Sequence, residues 1–381
     1  MAITIQSSPG SYISGHDGLW HVVSSNNSTQ TNFKYVFDIQ IGGVTIATIK
    51  NFPDSGGYGV FDASPIVRNY FDARFATSGY NLLQHAADFL HCDYTVLYGE
   101  EYGGTTYTSL TSGNYRGWNF SLDPFRNSIS TYANKFVTSR DRTAGEVITG
   151  EKFYITYNNV TATNVTATIQ KLNEDGSNDG SSSTGSGIST STALILDLSP
   201  FAINTYLGST FITASTYAWR VTIGGDSMVV KQVCAPRFTP VQIIFQNQYG
   251  GYDSFTFRLL SRQQKKIDRT TYKSLEYRRV GTSIAYASGG VHFGGTTAFA
   301  TSVDYSYKVT SGYLTLADYN LGSELLASNE VYLYVNDANG ENYYPILMKE
   351  TSWESKVVTS DKMFNYELGF DLGINQQSQY R

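Results

Sequence analysis

The sequence predicts an all-β protein: tandem antiparallel β-sandwich domains with short helical corners, followed by a β-rich C-terminal domain. Three observations carry that reading. Aromatic residues make up 14% of the 381 positions and charged residues only 15%, against about a quarter charged in an ordinary globular chain. The 30 tyrosines and 21 phenylalanines suit the half-buried pleated surface of a strand, and the 35 glycines supply turns. Apolar residues also alternate with polar ones over short runs, the period of a strand rather than of a helix.

At this length two or three cores fit, and the sequence divides into residues 1–135, 136–235 and 236–381. In the first division Phe33, Tyr35, Phe37, Ile39 and Ile41 alternate as a strand, and VTIATIKN from Val44 follows as a second. A short strand then ends at Asp62-Ala63-Ser64-Pro65. Ser64 is placed to cap a helix whose first position is Pro65, and Ile66, Val67 and Phe71 would lay that helix across the open end of the sandwich. The strand YTVLYGEEY begins at Tyr94.

The second division repeats the first. Phe153, Ile155 and Tyr157 form the aromatic strand, and VTATIQKLN begins at Val165, 121 residues after Val44. Asp197-Leu198-Ser199-Pro200 stands 135 residues after the first Asp-x-Ser-Pro, with Phe201, Ala202 and Tyr206 on the helix and YAWRVTIGG from Tyr217 beyond it. The difference of 14 implies an insertion, assigned to the Ser/Gly-rich loop over 173–192, with Gly180 to Thr192 as a flexible hairpin loop. Asp62, Ser64, Pro65, Asp197, Ser199 and Pro200 are therefore read as a structural repeat motif, not as catalytic groups.

The third division opens at the proline-bearing APRFTP. A hairpin turns at Gly250 and Gly251, with Phe255, Phe257 and Leu259 alternating on its return strand, and a second turns at Asn339-Gly340. The strand MFNYELGFDLG precedes a polar tail, INQQSQYR, expected to be loose without a partner.

A net charge of −5 and a pI near 5.6 exclude a general attraction to nucleic acid or anionic membrane. The opening MAITIQSSPGSYIS has neither the basic nor the apolar region of a secretory signal, and no apolar run approaches a membrane span. A soluble chain made in the cytoplasm is expected. Cys92 and Cys234 are read as two small buried thiols.

No phosphate loop, dinucleotide fingerprint, zinc-protease helix or nucleophile elbow occurs, so the chain is expected to be neither an enzyme nor a cofactor binder. His85, Asp88, His91, Cys92 and Asp93 lie close together, but their spacing is loose for zinc, and the segment is read as a surface helix leading into the Tyr94 strand. Glu100 and Glu101 would point to opposite faces of a strand, a poor acid and nucleophile pair.

One charge feature stands apart. Arg258, Arg262, Lys265, Lys266, Arg269, Lys273, Arg278 and Arg279 face only Asp268 and Glu276 between positions 258 and 279, a local balance of +6. Lys and Arg protect exposed sheet edges; the same charges would also bind an acidic partner protein, with contact to DNA the weaker expectation.

LWHVVSSNNSTQTNFKYVFDIQIGG followed by GGYGVFDASPIVRNYF resembles the start of virion structural proteins of tailed phages of Bacteroidota, crAss-like phages included. PVQIIFQNQYGGYDSFTFRLLSRQQKKIDR, ELLASNEVYLYVNDANGENYYPILMKETSWESK and KMFNYELGFDLG continue the resemblance in the same order. It implies a tail-associated or neck component, a ring or adaptor that forms a homo-oligomer and binds other tail proteins, and it carries over no catalytic residue. The alternative is a receptor- or glycan-binding tail-fibre or adhesin module whose exposed Tyr and Trp stack on sugars.

Overall fold

The computed structural model describes residues 3–10, 13–71, 75, 85–86, 90–120, 133–143, 145–160, 164–185, 187–188, 193–292, 294–338, 340–353, 364–374 and 376–377. The protein is all-β: antiparallel sheets dominate, and the longest of the three described α-helices has 12 residues. The chain separates into two compact units. One comprises Met1–Ala235, Phe245–Ser254 and Ala327–Glu330; the other comprises Pro236–Ile244, Phe255–Leu326 and Val331–Arg381.

The first unit begins with β1 (Ile3–Ser7), β2 (Ile13–Ser14), β3 (Trp20–Ser25), β4 (Lys34–Ile41), β5 (Val44–Asn51), β6 (Tyr58–Asp62) and α1 (Ser64–Val67). After β7 (His85–Ala86) come β8 (His91–Tyr102) and β9 (Thr105–Trp118). A three-stranded sheet, β1-β3-β6, faces a five-stranded sheet, β2-β9-β8-β4-β5. The chain continues through β10 (Lys135–Val137), β11 (Gly145–Val147), β12 (Tyr154–Asn158), β13 (Ala167–Leu172), β14 (Asn178–Thr184), β15 (Ala193–Asp197), α2 (Pro200–Leu207), β16 (Ala218–Ile223) and β17 (Asp226–Gln232). Its sheets run β10-β12-β15-β7 and β11-β17-β16-β13-β14.

Eight strands of each sandwich correspond, including one parallel pair in each, β2 with β9 and β11 with β17, and the second sandwich has β7 in addition, paired with β15. The register differs from the sequence expectation. Trp20 pairs with Asp62 and Tyr154 with Asp197, so β12 is the counterpart of β3 and β13 the counterpart of β4. VTATIQKLN thus corresponds to the aromatic strand of the first copy, not to VTIATIKN, and no 14-residue insertion separates the copies. The Ser/Gly-rich tract is in part β14, the counterpart of β5, paired from Thr168↔Thr184 to Leu172↔Asn178. Asp175 folds the turn before it by accepting the Ser177 N–H at 2.9 Å, and serine and threonine are tolerated on an outer strand because backbone pairing, not packing, holds it.

The Asp-x-Ser-Pro motif is a corner clamp in both copies. One oxygen of Asp62 accepts the N–H groups of Leu19 at 2.7 Å and Ser64 at 2.9 Å; one of Asp197 accepts those of Phe153 at 3.1 Å and Ser199 at 3.0 Å. Ser199 caps α2 by accepting the Ala202 N–H, and the helix stops at Gly208 in the left-handed region. Ser64 does not cap α1: its hydroxyl donates to the Asp62 carboxylate instead, and Ala63 occupies the cap position. Phe201 also departs from expectation, lying 65% exposed while Ala202 and Ile203 face the core.

Tyr35, Phe37, Ile39, Tyr94, Val96 and Tyr98 from the larger sheet meet Val23 and Phe61 from the smaller in the first core. Tyr35 crosses β6 at Gly59, where a Cβ would fall 2.4 Å from its ring. In the second core Trp219 is fully buried and donates its indole N–H to the Leu198 carbonyl at 3.2 Å. The segment read as a surface helix is instead strand: His91, Cys92 and Asp93 open β8, with Asp88 outside the described residues. Cys92 is buried, but Cys234 is exposed.

His21 is wholly buried, its ring nitrogens 2.9 Å from the Tyr98 hydroxyl and 3.2 Å from that of Tyr94. Burial, opposed by the Asp62 charge, pushes its pKa from 6.5 down to about 4. The unfolded chain therefore takes up a proton that the folded chain refuses, and stability present above about pH 6.5 drains away toward pH 4. A shift of this size corresponds to about 3 kcal/mol. Denaturant midpoints of the wild type should fall between pH 7 and pH 4.5, and His21→Gln should lose much of that slope; an unchanged slope in the variant would assign the acid sensitivity elsewhere.

The second unit contains most of an eight-stranded sheet. Its strands are β18 (Val241–Gln246), β19 (Tyr252–Phe257), β20 (Arg262–Ser274), β25 (Gly295–Thr310), β26 (Val331–Asp337), β27 (Gly340–Met348), β28 (Glu367–Leu372) and β29 (Gln376–Gln377); between β20 and β25 come β21 (Arg278–Val280), β22 (Ser283–Ala285), β23 (Ala287–Ser288) and β24 (Val291–His292). The order is β19-β18-β26-β27-β28-β25-β20, with β29 beside β25. The described part of the polar tail is thus paired, Gln376 and Gln377 lying opposite Val303 and Ser302. Helix α3 (Leu316–Ala327) begins at Thr315, whose hydroxyl accepts the Asp318 N–H and donates to its carboxylate. Tyr319, Leu321 and Leu325 are buried, and Tyr319 and Tyr366 both meet Trp353. The turn between β26 and β27 closes at Asp337↔Gly340, with Asn339 outside the described residues.

Candidate assembly interface

β20 and β25 form a two-stranded arm. They pair from Arg262↔Lys308 to Ser274↔Gly295 over 13 residues of β20, a length of roughly 40 Å. Other strands support β25 only near its end, β28 along Ser306–Thr310 and β29 at Ser302 and Val303. From Ser261 to Lys308 no described residue is buried. The tip carries two small hairpins, β21 with β22 and β23 with β24. It folds back tightly at Gly294, where a Cβ would fall 2.2 Å from the Glu276 Cα.

The structure distributes the eight basic residues along this element. Arg262, Lys265, Lys266, Arg269 and Lys273 lie on β20, the last strand of its sheet, while Arg278 and Arg279 lie on β21. Arg258 is half-buried just after β19, at the arm's root. Successive side chains of a strand alternate between faces, so Arg262 and Lys266 share one face of the ribbon and Lys265 and Arg269 the other. Lys266 pairs with Asp268 at 2.8 Å, and that hydrogen-bonded carboxylate raises its pKa. Lys265 stands 5.1 Å over the Tyr305 ring, and Arg279 donates to the Gly281 carbonyl. Among the described residues Arg262, Arg269, Lys273 and Arg278 have no ion-pair partner, and Arg262 stands opposite another cation, Lys308. This surface is charged on both faces and only partly neutralised.

Sequence reasoning found the charge but missed the apolar tip. Leu275 and Val291 are 70% and 69% exposed, and Val280, Ile284, Tyr286 and Phe299 are more than half exposed. Glycines at 281, 289, 290, 294 and 295 were the available signal: they break this stretch into strands too short to build a core. A two-stranded ribbon is only marginally stable in water by itself, and this one exposes apolar side chains over its tip.

At the arm's root, Phe238, Leu259 and Leu260 line a trough of about 350 Å³ rimmed by Arg262, Lys308 and Glu367. In the first unit a cleft of about 650 Å³ is lined by Gln40, Asp93, Thr95, Asn114, Tyr115 and Arg116. Its polar groups largely serve one another: Arg116 holds both oxygens of Asp93 at 2.5 and 2.8 Å, and Thr95 donates to Asn114 at 2.9 Å. No group of three His, Cys, Asp or Glu side chains among the described residues is arranged to hold a metal ion, and no described helix is long and apolar enough to cross a membrane. Glu100 is fully buried, accepting from Ser25 at 2.7 Å and Asn27 at 2.9 Å, whereas Glu101 pairs with Lys50 at 2.5 Å.

The chain matches no protein-family model and no curated protein.

Proposed function

We propose that the chain is a structural component of a tailed-phage virion, a tail or neck ring or adaptor protein that assembles with its own copies and with other tail proteins. One observation carries this reading: the β20–β25 arm, with no buried residue described between Ser261 and Lys308, displays apolar and cationic side chains together. Such an element gains its stability in an assembly. The sequence resemblance to virion structural proteins of Bacteroidota phages supplies the setting, and the paired β-sandwiches suit a body that is built in the host cytoplasm and functions in the particle. The glycan-binding alternative would use exposed Tyr and Trp such as Trp20 and Tyr313, whereas the polar groups of the Tyr115 cleft are engaged with each other.

Immunogold electron microscopy tests the proposal directly, with an antibody to this chain and both particles and cells on the grid. Gold at the neck or tail of particles is the expected result. Gold on bacterial surfaces with none on particles would overturn it in favour of the adhesin.

A further inference from the structure

The two sandwiches differ at one equivalent surface. In the second, the outward face of β12 and β15 carries Tyr154, Thr156, Ala193 and Ile195, all buried. The Phe245–Ser254 segment, part of the same unit, lies against β12 on this face, and Phe75 packs on the rings of both Tyr154 and Tyr252. The Tyr252 N–H donates to the Thr156 hydroxyl at 2.8 Å, the Tyr154 N–H donates to the Ser254 hydroxyl at 3.1 Å, and a Cβ on Gly251 would fall 2.6 Å from that of Thr156. In the first sandwich the register puts Trp20, Tyr58 and Val60 where the second has Tyr154, Ala193 and Ile195. They are 55%, 41% and 36% exposed, against 3%, 0% and 1%. β3 and β6 correspond to β12 and β15, but Trp20, Tyr58 and Val60 stay exposed and only Val22 between them is half-buried.

We propose that the arm of one copy lies across the exposed β3–β6 face of the next copy, as Phe245–Ser254 lies against β12 within the second sandwich. The second sandwich defines the kind of occupant, a β-hairpin that brings apolar side chains and backbone donors. The arm is a hairpin with uncovered apolar residues at its tip. Charge favours the same pairing. The segment 258–279 carries +6, whereas residues 1–135 hold seven basic residues against ten carboxylates, a net −3. Contact between two arms would instead set Arg262, Lys265, Lys266 and Arg269 against their own counterparts, like charge on like. A copy that gives an arm to one neighbour and receives one from another has the head-to-tail geometry, which closes into a ring where the rotation between copies closes and otherwise extends as a filament. This inference rests on the reading of the arm as an assembly element.

The purified full-length chain carrying a photo-crosslinking benzophenone amino acid at Val60 tests it. The expected product after illumination has at least twice the chain's mass, and mass spectrometry should place the attached peptide within residues 262–310. Trp20→Asp, at a position already half exposed, should keep the unfolding midpoint within a few degrees while losing the oligomer. Attachment to residues 1–135 of the second copy would mean a face-to-face dimer and overturn the docking. So would a monomer that forms no crosslink. If that monomer still labels the necks or tails of particles, the docking fails and the virion proposal stands; if particles carry no label, that proposal has failed as well.

Discussion

Asp197→Ala is expected to cost about 3–5 kcal/mol, the loss typical of a buried ion pair stripped of one partner. Asp197 is 3% exposed; it accepts the N–H groups of Phe153 and Ser199, and its second oxygen stands 3.4 Å from the Lys152 ammonium, itself buried. Burial raises its pKa against the pull of Lys152 and of the N–H donors. Deleting the carboxylate leaves the Phe153 and Ser199 N–H groups without their acceptor and removes the counter-charge nearest Lys152. Two comparisons separate this clamp from ordinary core damage. Asp197→Asn keeps an acceptor for both N–H groups and should lose less. Asp62→Ala removes the equivalent acceptor from a half-buried corner that has no ion pair among the described residues, and should cost only about 1–2 kcal/mol. Equal losses for the two alanine variants in a denaturant titration would refute the assignment of the difference to burial and Lys152.

These two carboxylates also show how far the sequence could be read. The all-β class was legible because Tyr35, Phe37 and Ile39 alternate inward on β4. The Asp-x-Ser-Pro pair stood out because the same four-residue pattern closes a strand twice, although only its aspartate plays the same part in both corners. The register between the copies was not legible: VTIATIKN and VTATIQKLN look alike because strands share a vocabulary of Val, Thr and Ile, yet one is an outer strand and the other is inner. Alternation says which side a residue points to, and not what lies on that side. Hence β12 and β15 are buried on both faces, β12 against a segment some 100 residues later in the chain, as the 96-residue separation of Thr156 and Tyr252 illustrates, while Trp20, Tyr58 and Val60 on the matching face of β3 and β6 stay exposed. The arm was half visible for the same reason. Its cations stand out in a chain of net −5, but its apolar residues resemble those of any core strand until the structure shows no core beneath them.

Reversing Arg262, Lys265, Lys266 and Arg269 to Glu should abolish incorporation into particles while leaving the fold intact. All four side chains are exposed, so the change removes few intramolecular contacts. The Lys266–Asp268 pair, the Lys265–Tyr305 contact and the placing of Lys266 opposite Asp304 are lost, all small contributions on a solvated surface. Glu at 262 would face Lys308, replacing a like-charge pair with an opposite one. Thermal unfolding of the purified variant should therefore stay close to wild type. A partner surface that meets these cations with carboxylates would meet four carboxylates instead, and repulsion across an interface blocks association far more effectively than it perturbs a solvated strand. The measurement is the amount of variant chain recovered in purified particles when it replaces the wild type during infection. Normal recovery would return β20 to the simpler role of a charged edge that keeps other strands away, and the apolar tip would then have to account for assembly without help from the charge.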